Sequence, residues 1–350
     1  SPWFDYISRE LVARGGLKKM VDKDGLGGVT SNPSIFEKAM ASSDAYDEQL
    51  GELSARGMDI EDTYWSLVTR DIEDALAILR PVYDESDALD GYVSVEVDPG
   101  LARDTDGTAA AARALHQRIG EPNLYVKIPA TVEGLPAIQQ MISEGRSINV
   151  TLIFSLDRYE QVIDAYISGL EACPGDLSRV SSVASFFVSR VDNEVDRRLD
   201  AIGTPEALDL RGKVAVANAR VAYQLFLERF SGSRWETLVD RGARVQRPLW
   251  ASTSTKNPAY PDTLYVDHLI GPDTVNTLPD ATLDAFEDHG QVARTLDADP
   301  VGARAVLDRL AQVGVDLADV TDTLEVEGVA SFEKSFTSLL ESLSGKVGGA

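Results

Sequence analysis

One short stretch of the chain, NLYVKIPA at residues 123–130, brings a lysine to the end of an apolar strand. Alternation places Tyr125 and Lys127 on one face and aliphatic side chains on the other. Pro129 has no backbone N–H, so the strand is predicted to end close to the lysine. A desolvated ammonium loses pKa units, and the neutral amine attacks carbonyl carbons to form a Schiff base. The alternative is an ordinary lysine whose stem lies on apolar surface while its ammonium reaches water.

Two further stretches carry polar side chains at alternate positions. In residues 91–99 valines alternate with polar residues that include Glu96, and in residues 148–154 Asn149 and Thr151 alternate with apolar residues. Such a polar face belongs either to a solvent-exposed edge strand of an antiparallel sheet or to the lining of an interior site. In a site, a carboxylate beside a reactive amine would move the protons of carbonyl chemistry.

The elements that must position these residues are eight strands that alternate with helices. The strands are predicted at residues 3–7, 28–32, 91–99, 124–128, 148–154, 180–188, 247–252 and 273–278. This alternation predicts an α/β fold, a single (β/α)8 barrel over residues 1–350 with extra helices, the last of them at the C-terminus. Active-site residues of such barrels lie at the C-terminal ends of the strands. The residues expected to converge there are Asp5, Asn32, Glu96, Lys127, Asn149, Thr151 and Ser185.

The charge of the chain limits the classes of ligand. Lys and Arg number 33 and Asp and Glu 57, a net charge of −24, which repels nucleic acid and anionic membranes. An anionic substrate such as a phosphorylated sugar therefore requires a local cluster of positive groups and hydrogen-bond donors. Arg190 and the segment Ser252, Thr253, Ser254, Thr255, Lys256 supply such a cluster at two strand ends. The alternative for that segment is a simple turn rich in Ser and Thr.

The remaining composition points to a cytoplasmic protein without a metal or a cofactor. The single cysteine, Cys173, cannot form an internal disulfide, which indicates a reducing compartment. The sequence has no 18-residue apolar run and no secretory leader, and because it begins at Ser1 we expect native residues to precede it. His116, His268 and His289 lie in predicted helices or loops and are expected at the surface, which favours neither a zinc site nor a serine triad.

Six stretches of the chain form a specific combination: GVTSNPSIFEKA from Gly28, VSVEVDP from Val93, YVKIPAT from Tyr125, INVTLIFS from Ile148, SFFVSR from Ser185 and WASTSTKNPAY from Trp250. Together they resemble one family, the transaldolases, which are Schiff-base enzymes of the pentose phosphate pathway. The resemblance runs from the first predicted strand to the last. The segment after the seventh strand is longer than in the short form of the family and has lysine where that form has arginine, so its phosphate contacts stay open.

The resemblance implies a role for each candidate residue. Lys127 would be the Schiff-base lysine, with Glu96 and Asp5 as acid–base carboxylates and a water held between Glu96 and Thr151. The remaining candidates would surround the sugar and its phosphate: Asn32, Asn149, Ser185, Phe187, Arg190, Ser252, Ser254 and Lys256. The implied reaction transfers a dihydroxyacetone unit from sedoheptulose 7-phosphate to glyceraldehyde 3-phosphate.

Two other functions remain open at this stage. The first is a fructose 6-phosphate aldolase, whose members by resemblance carry glutamine and tyrosine where this chain has Glu96 and Phe187. The second is a sugar-phosphate-binding barrel without activity. The expected partners are phosphorylated ketoses and aldoses, and the oligomeric state, monomer or homodimer, is left open.

Overall fold

The structure is a computed structural model that describes residues 1–348, and these residues form eight strands and sixteen α-helices. The strands are β1 (Pro2–Phe4), β2 (Gly28–Val29), β3 (Tyr92–Glu96), β4 (Leu124–Pro129), β5 (Ile148–Ile153), β6 (Ser182–Phe187), β7 (Arg247–Ala251) and β8 (Val275–Leu278). The helices are α1 (Arg9–Ala13), α2 (Gly16–Asp24), α3 (Pro33–Ser42), α4 (Asp47–Ala55), α5 (Ile60–Glu85), α6 (Thr105–Ile119), α7 (Gly134–Ser143), α8 (Leu156–Ala172), α9 (Ser189–Ile202), α10 (Pro205–Leu208), α11 (Val214–Arg229), α12 (Ser233–Val239), α13 (Leu264–Asp267), α14 (Asp280–His289), α15 (Pro300–Gln312) and α16 (Leu317–Gly348).

The eight strands form a closed barrel in which each strand is parallel to its neighbours in chain order. β8 pairs with β1 through Phe4 and Leu278, which closes the sheet. The predicted (β/α)8 barrel is therefore confirmed. Every residue of β3, β4, β5 and β6 is buried, because helices cover the outside of a parallel barrel while side chains fill its inside.

The first two strands are shorter than the sequence predicts, and this places two candidate residues just beyond them. β1 ends at Phe4 and β2 at Val29, so Asp5 and Asn32 follow the strands. Backbone pairing continues for one more residue, since Asp5 N donates to Leu278 O at 2.9 Å. Asn32 then caps α3: its Oδ1 accepts a hydrogen bond of 3.0 Å from the backbone N–H of Ile35.

Aromatic side chains close the N-terminal end of the barrel interior. The rings of Trp3 and Tyr125 are 6.1 Å apart, and those of Tyr92 and Tyr125 are 4.1 Å apart and nearly parallel. Gly28 is required beside them, because a Cβ at that position would lie 2.5 Å from Cδ2 of Trp3. This end is therefore filled, and the site must lie at the opposite end.

The sequence pattern predicts one helix over residues 11–23, a helix that ends near Pro81 and helical structure from Asp280 onward, and the structure differs at each of them. Residues 11–23 form two helices instead of one, separated by Gly15 with φ +73°. Helix α5 continues through Pro81, which is exposed to solvent, and ends at Glu85. Residues 290–299, predicted as helix, have no regular structure.

The last helix, α16, packs against α3 and α5 beside the C-terminal ends of the strands. The hydroxyls of Ser34 and Ser335 are 2.7 Å apart, and the ring of Phe336 meets that of Tyr64 edge-on at 5.1 Å. Lys346 pairs with Asp47 at 3.0 Å farther along the helix. The C-terminal helix thereby forms one wall of the barrel mouth. Within residues 1–348, no helix is long and apolar enough to cross a membrane.

Candidate active site

Lys127 and Glu96 form a buried ion pair at the C-terminal half of the barrel. They are register partners on β4 and β3, and Lys127 Nζ lies 3.3 Å from Glu96 Oε2. The side chains are 6% and 4% exposed. Lys127 Nζ also donates to the carbonyl oxygen of Ser31 at 3.0 Å. The amine is therefore held at a fixed point between β2 and β3, within reach of a carboxylate that can exchange a proton with it.

Asp5 is the second carboxylate of the site. Thr30 Oγ1 donates to Asp5 Oδ1 at 2.7 Å and lies 2.6 Å from the hydroxyl of Thr277. Burial raises the pKa of Asp5, while the hydrogen bond from Thr30 and the positive charge of Lys127 oppose that rise. Burial likewise raises the pKa of Glu96, opposed mainly by Lys127. Carboxyls with raised pKa values are suited to take up and return protons near neutral pH.

A hydrogen-bonded layer of polar side chains supports the lysine. Ser31 Oγ donates to Ser94 O at 2.7 Å, and Asn149 Nδ2 donates to Ser94 Oγ at 3.0 Å. Ser185 Oγ in turn donates to Asn149 Oδ1 at 2.7 Å. The predicted polar positions of β3, β5 and β6 therefore converge. Asn149 thus donates to Ser94 and accepts from Ser185, and it holds these two side chains in place from behind the lysine.

Thr151 lies at a distortion of β5 that the sequence pattern does not show. Leu152 has φ +59°, and the pairing with β6 shifts register between Val150 and Ile153. A positive φ is strained for leucine, and such strain is characteristic of functional sites. The predicted alternation of Val150, Leu152 and Phe154 on one face is therefore interrupted at Leu152. Thr151 Oγ1 is buried and has no hydrogen-bond partner within residues 1–348.

A cavity of about 640 Å³ opens above Lys127 at the strand ends. It is lined by ten of the twelve candidate residues: Asp5, Asn32, Lys127, Thr151, Ser185, Phe187, Arg190, Ser252, Ser254 and Lys256. The other two, Glu96 and Asn149, lie behind the lining and contact Lys127 and Ser185 respectively.

The side of the cavity formed by β6 and β7 is positively charged and rich in hydroxyls. Arg190 lies at the start of α9, and its guanidinium carbon is 5.2 Å from the centre of the Phe187 ring. The hydroxyls of Ser189 and Ser252 are 2.9 Å apart, and Ser252 has the strained φ of +56°. A guanidinium beside serine hydroxyls and a helix N-terminus is a typical phosphate site.

The three cations Lys38, Arg190 and Lys256 line this cavity, and in the described part of the chain none of them forms an ion pair. Burial lowers the pKa of Arg190, and the negative charge of Asp5 is the largest opposing influence. Arginine nevertheless stays charged in proteins. The cavity therefore contains the local positive cluster that an anionic substrate requires in a chain of net charge −24.

Several lining residues were missed by the sequence reasoning. Lys38 and Asn193 lie one helical turn after Ser34 and Arg190, so helical spacing from the strand ends contains a signal for them. Phe332 comes from α16, far along the chain, and no local pattern predicts its place. The expectation that His116 lies at the surface is wrong. Its side chain is half-buried, and burial lowers its pKa to about 4.

Comparison with known proteins gives matches over nearly the whole chain. The family model described as "Transaldolase/Fructose-6-phosphate aldolase" matches residues 2–343. A transaldolase of Parafrankia sp. (strain EAN1pec) is 54% identical over 352 residues, covering 99% of this chain and 95% of the relative. That of Thermobifida fusca (strain YX) is 54% identical over 343 residues, covering 97% and 93%. That of Mycolicibacterium smegmatis is 50% identical over 354 residues, covering 100% and 95%.

Proposed function

The chain belongs to the transaldolase/fructose 6-phosphate aldolase family, and from this premise we propose that it is a transaldolase. It transfers a dihydroxyacetone unit from sedoheptulose 7-phosphate to glyceraldehyde 3-phosphate and yields erythrose 4-phosphate and fructose 6-phosphate. The observation that carries the proposal is the buried pair of Lys127 and Glu96, 3.3 Å apart, beneath a cavity that contains unpaired cations.

In the first stage the donor ketose is bound covalently. Lys127 passes one proton to Glu96, its neutral amine adds to the carbonyl carbon, and a proton from the added nitrogen moves to the former carbonyl oxygen to give a carbinolamine. Glu96 then protonates the departing hydroxyl, water leaves and an iminium remains. Glu96 is within 3.3 Å of the amine, and Thr151 is among the residues that line the cavity above it. This proximity supports a role for both groups in carrying protons during this stage.

In the second stage the bond between carbons three and four breaks. Asp5 removes the proton of the carbon-four hydroxyl, the electron pair of the broken bond passes into the iminium, and an aldose leaves. The product on Lys127 is an enamine. Asp5 keeps its hydrogen bond from Thr30 through Oδ1, at 2.7 Å, so its other oxygen is available for the substrate.

In the third stage the enamine stays bound to Lys127 until an acceptor aldehyde enters the site. The amide hydrogens of Asn32, whose Oδ1 is occupied by the cap of α3, are free to bind a hydroxyl of the enamine. The acceptor aldehyde adds to the enamine carbon, Asp5 returns its proton to the new hydroxyl, and hydrolysis of the iminium releases the product ketose. Arg190, Ser252, Ser254 and Lys256 hold the phosphate groups of donor and acceptor in turn.

A direct test compares turnover with and without an acceptor. Fructose 6-phosphate is mixed with the enzyme and erythrose 4-phosphate, and sedoheptulose 7-phosphate is measured. We expect turnover to require the acceptor, Lys127→Ala to abolish it, and the surface control Lys213→Ala to preserve it. Release of free dihydroxyacetone at full turnover without acceptor indicates an aldolase, and near wild-type transfer by Lys127→Ala contradicts the mechanism.

The setting of the enzyme is part of the proposal. We infer a cytoplasmic location, since a chain with one cysteine, Cys173, is typical of a reducing compartment. Monomer or homodimer stays a prediction, to be settled by light scattering in solution.

A further inference from the structure

Tyr260 and Tyr265, which follow strand β7 in the chain, donate hydrogen bonds to two carboxylates of helix α9. Tyr260 Oη donates to Asp196 Oδ2 at 2.6 Å, and Tyr265 Oη donates to Asp192 Oδ2 at 2.9 Å. Asp192 and Asp196 are four residues apart, so they lie on the same face of the helix, one turn from each other. The two bonds form a pair of parallel links between α9 and the segment after β7.

The second oxygen of each carboxylate holds the start of α11. Asp196 Oδ1 accepts from Gly212 N at 3.0 Å, and Asp192 Oδ1 accepts from Ala215 N at 2.7 Å. The ring of Tyr260 lies directly against Gly212, where an added Cβ would be 2.8 Å from the ring. Each carboxylate therefore joins three segments of the chain, and both of its oxygens are used.

These links connect the two sides of the proposed phosphate site. Arg190 lies at the N-terminal end of α9, two residues before Asp192, while Ser252 to Lys256 come just before Tyr260. Closer to the cavity, the two sides contact each other through Ser189 and Ser252, whose hydroxyls are 2.9 Å apart. Neither tyrosine lines the cavity. Their effect on a bound phosphate therefore has to pass through the positions of α9 and the loop.

We propose that Tyr260 and Tyr265 are positioning residues that set the separation between Arg190 and the loop from Ser252 to Lys256, and thereby the affinity for the phosphate group. This inference rests on the proposed function, because it assigns phosphate binding to that loop. Without the link from Tyr260, the loop samples positions in which Lys256 and the serines no longer face Arg190. Phosphate then binds more weakly, whereas the chemistry at Lys127 is unchanged.

The test removes one hydroxyl at a time. In Tyr260→Phe and Tyr265→Phe we expect the KM for glyceraldehyde 3-phosphate and the inhibition constant of inorganic phosphate to rise about 5-fold, the effect of losing about 1 kcal/mol of binding. We expect kcat to stay within about 2-fold, a split that a general loss of folding does not produce. The KM for glyceraldehyde, which has no phosphate, should not change.

The matched control is Tyr223→Phe. Tyr223 is a buried tyrosine that donates to Pro272 O at 3.1 Å and does not line the cavity. It is expected to leave all these constants unchanged. Two substitutions of Asp196 supply a second comparison. The amide in Asp196→Asn can still form a hydrogen bond with Tyr260, whereas the methyl group in Asp196→Ala cannot. We expect only Asp196→Ala to raise the KM for the phosphorylated acceptor.

Equal losses for phosphorylated and unphosphorylated acceptors, or Tyr260→Phe constants equal to those of Tyr223→Phe, overturn the inference. If the phenylalanine variants do not fold, the Asp196 pair decides. Calorimetric titration with inorganic phosphate keeps the two proposals apart, because it reports positioning even in an enzyme without transfer activity. Loss of the proposed function appears instead as absence of acceptor-dependent turnover in the wild-type protein.

Discussion

Replacement of Lys127 by methionine should destabilise the protein in a pH-dependent way. Methionine keeps most of the stem and removes the charge, so Glu96 loses its partner at 3.3 Å while it stays 4% exposed. Breaking a buried pair costs about 3–5 kcal/mol when the remaining charge stays ionised. Burial already raises the pKa of Glu96 in the presence of Lys127, and loss of the ammonium raises it further. The variant therefore loses less free energy of unfolding at a pH at which Glu96 is protonated.

The sign of the pH dependence follows from this raised pKa. Between the folded pKa of Glu96 in the wild type and its higher folded pKa in the variant, the folded variant binds more protons than the folded wild type, so the loss of stability grows as pH rises through that window. We expect Lys127→Met to lower the free energy of unfolding by about 1 kcal/mol at pH 5.5 and about 3 kcal/mol at pH 8. For a chain of 350 residues, with an unfolding entropy of about 0.7 kcal/mol/K, the second value lowers the Tm by about 4 °C.

Thermal unfolding at both pH values measures the effect, with two controls. Lys213→Met makes the same change at the exposed pair with Asp209, whose side chains are 48% and 55% exposed, and should shift the Tm little at either pH. Glu96→Gln added to Lys127→Met should remove most of the added pH dependence, because the carboxylate that lost its partner at 3.3 Å is gone and only the weaker influence of Lys127 on Asp5 remains. An equal Tm shift at both pH values, or no recovery in the double variant, refutes the reasoning.

Three further predictions concern other parts of the molecule. Asp5→Asn keeps the acceptor for Thr30 but cannot take a proton, so we expect kcat to fall about 10²–10³-fold while borohydride still traps the ketose. Gly28→Ala should lower the free energy of unfolding by about 1–3 kcal/mol through contact with Trp3, whereas Gly51→Ala, in open space on α4, should not. Burial raises the pKa of Asp192 to about 7, so the contribution of this one group to stability falls as pH rises from about 4 to 7. Asp192→Asn should weaken that fall between pH 5 and pH 8, as measured by thermal unfolding.

The barrel was predictable because strand alternation is a local property of the sequence. Ser94 and Glu96 alternate with valines on β3, and the same period on β4 places Lys127 beside Glu96. Once the strands are arranged in chain order, their C-terminal ends meet at one end of the barrel. Convergence of the polar side chains therefore follows from period and topology alone.

The details that were missed depend on long-range contacts. The positive φ of Leu152 at the β5 distortion lies beside α16, where a Cβ on Gly328 would be 3.0 Å from a Leu152 methyl. A pattern of alternating residues does not contain that contact. Phe332 reaches the cavity for the same reason, because its place is determined by the packing of α16 on α3. Helix α5 passes Pro81, because Leu79 and Tyr83 are buried on either side of it and their packing overrides the local tendency of proline to end a helix.

The roles of the individual site residues stay predictions until chemistry is measured. The most direct measurement treats the wild-type protein with fructose 6-phosphate and borohydride and locates the added mass by peptide mapping. Borohydride reduces an iminium to a stable amine, so we expect one adduct, on the peptide that contains Lys127. Absence of an adduct, or an adduct on a different lysine such as Lys38 or Lys256, contradicts the assignment of Lys127 as the covalent centre.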